Sequence, residues 1–121
     1  MAKITSLEDF ELYQIAIKLT SWVFEICRDQ ELKSEFELQN QAKRAAISVA
    51  SNLAEGFGRR TKKDFAQFLS IALGSANEIQ AQLTIISLVA PKLAIQAKKL
   101  QTQYSCLGKR LYLLRKGILG K

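Results

Sequence analysis

The sequence predicts an all-α fold, an antiparallel up-down-up-down four-helix bundle, and three observations carry that prediction. Apolar residues recur at alternating spacings of three and four in four successive segments, each long enough for a helix of roughly 30 Å. Proline occurs once, at position 91, and Asn-Gly turns and β-branched alternation are absent, so no strand pattern competes. The connections between the periodic segments are short, which makes antiparallel neighbours the simplest topology. With 121 residues, 48% of them hydrophobic, the chain is expected to form a single domain over residues 1–121 that needs no disulfide or metal staple.

The first helix is expected from about Glu11 to Asp29, with Leu12, Ile15, Leu19, Trp22 and Ile26 in one stripe. The mostly polar run Gln30 to Glu37 breaks that period and forms a connection. A second helix, from about Leu38 to Phe57, aligns Leu38, Ala42, Ala45, Val49, Leu53 and Phe57. Ala46, Ser48, Ala50, Ser51 and Ala54 thin its flanks, so neighbours can approach closely and a central position is expected. Gly56 and Gly58 are expected to end it through the left-handed conformation that glycine adopts without penalty.

Thr61 can cap the third helix through its hydroxyl, with Asp64 three residues on, where a full capping box has Glu or Gln. Phe65, Phe68 or Leu69, Ala72, Ala76, Ile79, Leu83 and Ile86 then keep the rhythm without interruption. Gly74, unfavourable in a helix interior by about 1 kcal/mol against Ala, is expected to mark a close helix crossing. The next connection falls around Val89 to Pro91, since proline suits a helix's first turn. The fourth helix aligns Leu93, Ala97, Leu100, Tyr104, Leu107, Leu111, Leu114 and Ile118, and the tail beyond it is expected to fray. Leu111-Tyr112-Leu113-Leu114 is apolar all round, and Ile71, Leu73, Ile85, Leu88 and Val89 lie outside the third helix's main stripe. A second apolar face calls for a second partner, so self-association into a homo-oligomer is expected; the plainer reading is a wider core.

The absence of histidine removes the commonest general base and zinc ligand and every Ser-His or Cys-His pair, and argues against an enzyme. Cys27 and Cys106 form no C-x-x-C motif and read as small buried apolar groups; no metal, cofactor or small-molecule substrate is expected. The opening residues hold no long apolar core, and the stretch Leu83 to Ala90 is too short to span a bilayer. No leader and no membrane partner are therefore expected, and a cytoplasmic location is the default.

The net charge of +7 is unevenly placed: residues 1–37 sum to −4, whereas residues 90–121 hold eight basic residues and no acidic one. This asymmetry suggests an anionic partner, or contact between the acidic first helix of one copy and the basic fourth helix of the next. Arg59, Arg60, Lys62 and Lys63 cluster where one helix ends and another begins, and both amides at a helix N-terminus and guanidinium groups attract phosphate. With Lys98, Lys99, Lys109, Arg110, Arg115 and Lys116 they would make a footprint for RNA or DNA that leans on backbone charge; alternatively these residues only solvate the fold. Arg44, Ser48, Asn52 and Glu55 share a face of the second helix, and Ser75 and Glu78 a face of the third, as for a polar network that fixes register. The competing reading is a ligand or interface site using Glu55 or Glu78; a carboxylate-pair hydrolase lacks any further catalytic group nearby.

The run Arg44-Ala-Ala-Ile-Ser-Val-Ala-Ser-Asn-Leu-Ala-Glu-Gly-Phe-Gly-Arg-Arg60, with Lys63-Asp-Phe-Ala-Gln-Phe-Leu-Ser-Ile-Ala-Leu-Gly-Ser-Ala-Asn-Glu78, resembles the bacterial four-helix bundle proteins encoded in intervening sequences of large-subunit ribosomal RNA genes, the 23S rRNA-intervening sequence proteins. Phe10-Glu-Leu-Tyr-Gln-Ile-Ala16 is similar to that family's first helix, which usually carries Trp where Tyr13 stands. The resemblance spans nearly the whole chain. It implies an all-α bundle in a ring-like homopentamer with no established enzymatic activity. A distant likeness to accessory proteins of diversity-generating retroelements, whose basic ring engages RNA and a reverse transcriptase, implies nucleic-acid binding, though fold alone does not transfer function.

Overall fold

A computed structural model describes residues 6–120. Four long helices, α1 (Glu11–Cys27), α2 (Phe36–Phe57), α3 (Lys62–Val89) and α4 (Ala94–Ile118), account for most of the chain, and no strand occurs among the described residues. Short 3₁₀ turns at Leu7–Asp9, Gln30–Leu32 and Pro91–Leu93 punctuate them. Each helix packs on the next, and α4 also packs on α1.

The core takes one stripe from each helix. On α2, α3 and α4 the stripes are largely those the spacing predicts: Ala42, Ala45, Val49 and Leu53; Leu69, Ala72, Ala76, Ile79, Leu83 and Ile86; Ala97, Leu100, Tyr104, Leu107 and Leu111. On α1 the stripe shifts by one residue at two places. Ala16 and Val23 are fully buried, Ile15 is only half-buried and Trp22 is exposed, with the Lys18 ammonium 5.8 Å from its ring centroid. Spacings of three and four are interchangeable on a helix, and the smaller side chain takes the close contact.

Three local expectations are corrected. Helix α1 ends at Cys27 and α2 begins at Phe36; between them Leu32, within the polar connection, is fully buried and caps the core. Asp29 initiates that turn by accepting from the Glu31 N–H at 2.9 Å. Gly58 has φ −83°, not the left-handed conformation, and Gly56 lies inside α2; only Gly120 among the described residues has positive φ. Gly74 marks no crossing within the chain, because a Cβ there meets no other helix within 4 Å. The glycine that does permit close approach is Gly56, where a Cβ would stand 2.8 Å from Phe68 Cβ and 3.1 Å from Phe65 Cδ1.

Two hydroxyls sit deep between helices. The Thr20 hydroxyl is shared between the Ala16 carbonyl at 2.7 Å and the Ala46 carbonyl of α2 at 3.2 Å, tying α1 to α2. Tyr104 is fully buried, and its hydroxyl meets no hydrogen-bond partner among the described residues. Burial pushes that phenol well above its ordinary range. Burial likewise raises the Cys27 thiol, with Lys43 opposing, whereas Cys106 is exposed and corrects the expectation that both cysteines are buried.

Candidate nucleic-acid interface

The segment carrying the basic cluster stands on an aromatic platform. Phe10, just before α1, stacks on Phe57 at the end of α2 with centroids 5.3 Å apart, and meets Phe65 of α3 edge-on at 6.1 Å. Gly56 lets Phe65 and Phe68 press against the last turn of α2. The chain then turns through Gly58–Thr61, and Thr61 starts α3 by accepting from the Asp64 N–H at 3.0 Å, the cap the sequence predicts. Aromatic packing and a cap thus hold both ends of the turn.

Within that turn the four basic residues are not equivalent. Arg59 pairs with Glu55 at 2.6 Å and lies over the Phe68 ring at 4.8 Å from its centroid, so its guanidinium is anchored to the platform. Arg60, Lys62 and Lys63 are exposed and make no ion pair among the described residues. Lys62 and Lys63 fall in the first turn of α3, beside its free N–H groups.

On α4, Lys98, Lys99, Lys109 and Lys116 are exposed. Arg110 bonds Glu11 of α1 at 3.0 Å, and Arg115 is half-buried with its Nε unpartnered among the described residues. Lys92, at the start of the last turn before α4, lies 3.7 Å from Glu31. The acidic first third of the chain therefore meets basic groups of the last quarter within one molecule, a pairing the charge sums did not reveal. These exposed pairs contribute little to stability, on the order of 0–1 kcal/mol each.

The polar stripe is shorter than its spacing suggests. Ser48 and Ser75 bond across α2 and α3 at 2.7 Å, and the Asn52 amide donates to the Ser48 hydroxyl at 3.0 Å and to its carbonyl at 2.8 Å. Arg44 and Glu78 are exposed and Glu55 serves Arg59, so these three lie outside the network. Side chains this long reach solvent from the edge of a helix contact, whereas serine and asparagine cannot.

Two grooves flank α4. One, about 450 Å³, lies against α1 and sets Glu25 and Asp29 opposite Lys99, with Trp22 on its wall. The other lies against α3 between Leu73, Asn77, Gly108 and Tyr112. No group of three or more carboxylate or thiol residues among the described residues is placed to hold a metal ion, and no described helix is long and apolar enough to cross a membrane.

A family model described as 23S rRNA-intervening sequence protein matches residues 8–113. Among solved structures, a protein of unknown function from the S23 ribosomal protein family of Bacteroides thetaiotaomicron VPI-5482 is similar in fold, with a TM-score of 0.78 and 19% identity, covering 87% of this chain and 98% of that one. No curated protein matches the chain.

Proposed function

The chain belongs to the 23S rRNA-intervening sequence protein family, and from that premise we propose a non-enzymatic helical module that assembles with copies of itself and holds nucleic acid, RNA or DNA, by its phosphates. The single observation that carries the nucleic-acid reading is the exposed trio Arg60, Lys62 and Lys63, without acidic partners among the described residues and fixed on a rigid turn. Clustered cations beside a helix N-terminus suit phosphate oxygens, and a held turn loses little entropy on binding.

An antiparallel up-down-up-down arrangement extends that cluster. It is supported by the order of contacts: Ser48 meets Ser75 while the later Gly56 meets the earlier Phe65 and Phe68, and Glu11, at the start of α1, meets Arg110 late in α4. In this arrangement Lys116 comes to the same end of the bundle as Arg60, Lys62 and Lys63, and Lys98 and Lys99 lie toward the other. The neighbour's ribosomal family name is in keeping with RNA as the anion.

Self-assembly is supported by exposed apolar side chains on α3 and α4, among them Leu88 at 74% and Leu113 at 62% exposure, since clustered exposed hydrocarbon marks a contact surface. A ring-like homo-oligomer, a pentamer by family resemblance, would gather several basic ends into one surface. The second reading, an assembly or adaptor protein with protein partners only, draws support from the Glu11–Arg110 and Glu31–Lys92 pairs, which give part of the charge asymmetry a use inside the chain.

Filter retention of a labelled single-stranded RNA and a duplex DNA at low and high salt, with light scattering on the same samples, separates the two. Retention that falls steeply with salt while the assembly persists supports nucleic-acid binding. Absence of retention at low salt refutes it and leaves the adaptor reading.

A further inference from the structure

The surface of α3 that faces away from the core carries a second periodic stripe. Ile71, Gly74, Glu78, Ala81, Ile85 and Leu88 follow spacings of three and four and are all exposed. This is the pattern of a helix–helix seam, with small residues where backbones would approach and large ones on either side. Gly74 fits such a seam: it stands in the middle of a 28-residue helix, where glycine is unfavourable, and beyond the adjoining backbone of its own helix nothing lies within 4 Å of where a Cβ would be.

The outward face of α4 carries a stripe of the same rhythm, with Ile95, Lys98, Thr102, Cys106, Lys109 and Leu113 all exposed, Ile95 at 84%. The stripes differ in charge. Glu78 is the sole charged residue of the α3 seam and makes no ion pair among the described residues, whereas the α4 seam carries only cations, Lys98 and Lys109, neither of them in an ion pair among the described residues. Two α3 seams placed together would oppose two carboxylates near their common centre, and two α4 seams would oppose lysines. Only the mixed pairing joins opposite charges.

We infer that the α3 seam docks on the α4 seam of a second copy of this chain, with Glu78 against Lys109 of that copy. This deepens the self-assembly reading and rests on it. The two faces of one molecule are different surfaces, so the contact is head-to-tail and repeats from copy to copy, closing into a ring when the rotation permits. It also withdraws Lys98 and Lys109 from the nucleic-acid surface and covers Cys106.

The test is analytical ultracentrifugation of the full chain, together with native alkylation of Cys106, which Cys27, being buried, leaves as the reporting thiol. Glu78→Lys and Lys109→Glu each raise the dissociation constant of the assembly by roughly a hundredfold, and the double variant returns to within about tenfold of the wild type. Alkylation of Cys106 slows on assembly and regains its dilute-solution rate in either single variant. A wild-type assembly unmoved by either reversal, or with Cys106 equally reactive assembled and dilute, overturns this interface and leaves self-assembly standing. A wild-type chain that stays monomeric overturns both.

Discussion

Replacing Gly56 and Gly74 by alanine, the same chemical change at two helix-interior positions, has opposite expected effects. In an open helix Gly→Ala stabilises by about 1 kcal/mol, because glycine surrenders more backbone freedom on folding. At Gly74 nothing lies within 4 Å of the added methyl group, so that gain is realised in full. At Gly56 the methyl group meets Phe68 Cβ at 2.8 Å. That atom is fixed to the α3 backbone and cannot swing away, so α3 must retreat from α2 and loosen the stack of Phe10 on Phe57 and Phe65. Overpacking costs about 1–3 kcal/mol, and a contact of 2.8 Å with a backbone-fixed atom falls in the upper part of that range, about 2–3 kcal/mol, which outweighs the helix gain and leaves Gly56→Ala destabilised by about 1–2 kcal/mol. With a midpoint shift of about 4 °C per kcal/mol for a domain of this size, the two variants should separate by at least about 8 °C in thermal unfolding followed by circular dichroism. The comparison is made at low protein concentration, so that assembly does not contribute. Shifts of the same sign would refute the assignment of Gly56 as the close-approach glycine and Gly74 as the open one.

Two further outcomes follow from buried polar groups. Ser48→Ala leaves the Ser75 hydroxyl without its partner and is expected to cost about 1–2 kcal/mol in urea unfolding, while Ser48→Ala/Ser75→Ala recovers most of that loss because both ends of the bond are removed together. Tyr104→Phe deletes a buried hydroxyl that has no partner among the described residues and should raise stability by about 1 kcal/mol. It should also flatten the alkaline limb of the stability profile. The unfolded chain releases the Tyr104 proton near the ordinary value of 10.0, whereas the folded chain retains it to higher pH. The wild type therefore has this contribution in full below that value and loses it as pH rises further. Cys27 acts in the same direction from its ordinary 9.0, so the Phe variant keeps a smaller alkaline decline.

The bundle was legible in the sequence because leucine and alanine at spacings of three and four leave one helical solution for α2, α3 and α4. Helix α1 was less so: Ile15 and Trp22 fit the period as well as Ala16 and Val23, and only packing on the Ala-rich α2 decides between them. Leu32 was hidden by its polar neighbours, although a large apolar residue in a charged connection was itself the signal. The glycines were misread because periodicity shows where a helix ends but not what lies opposite a missing side chain. At the candidate interface the sequence located all four basic residues of the turn. It did not reveal that Phe68 and Glu55 hold Arg59, since cation stacking across a helix hairpin has no local signature. The same limit concealed Arg110 behind Glu11, at the far end of the chain.

The most direct measurement is the salt dependence of RNA affinity for the wild type and for Arg60→Glu/Lys62→Glu/Lys63→Glu, followed by fluorescence anisotropy on a single-stranded oligonucleotide. Each lost phosphate contact on a single strand lowers the slope of log affinity against log salt by about 0.7, so the account predicts a decrease of about two in a variant that keeps its helical circular dichroism. A slope unchanged from the wild type in that folded variant would contradict it.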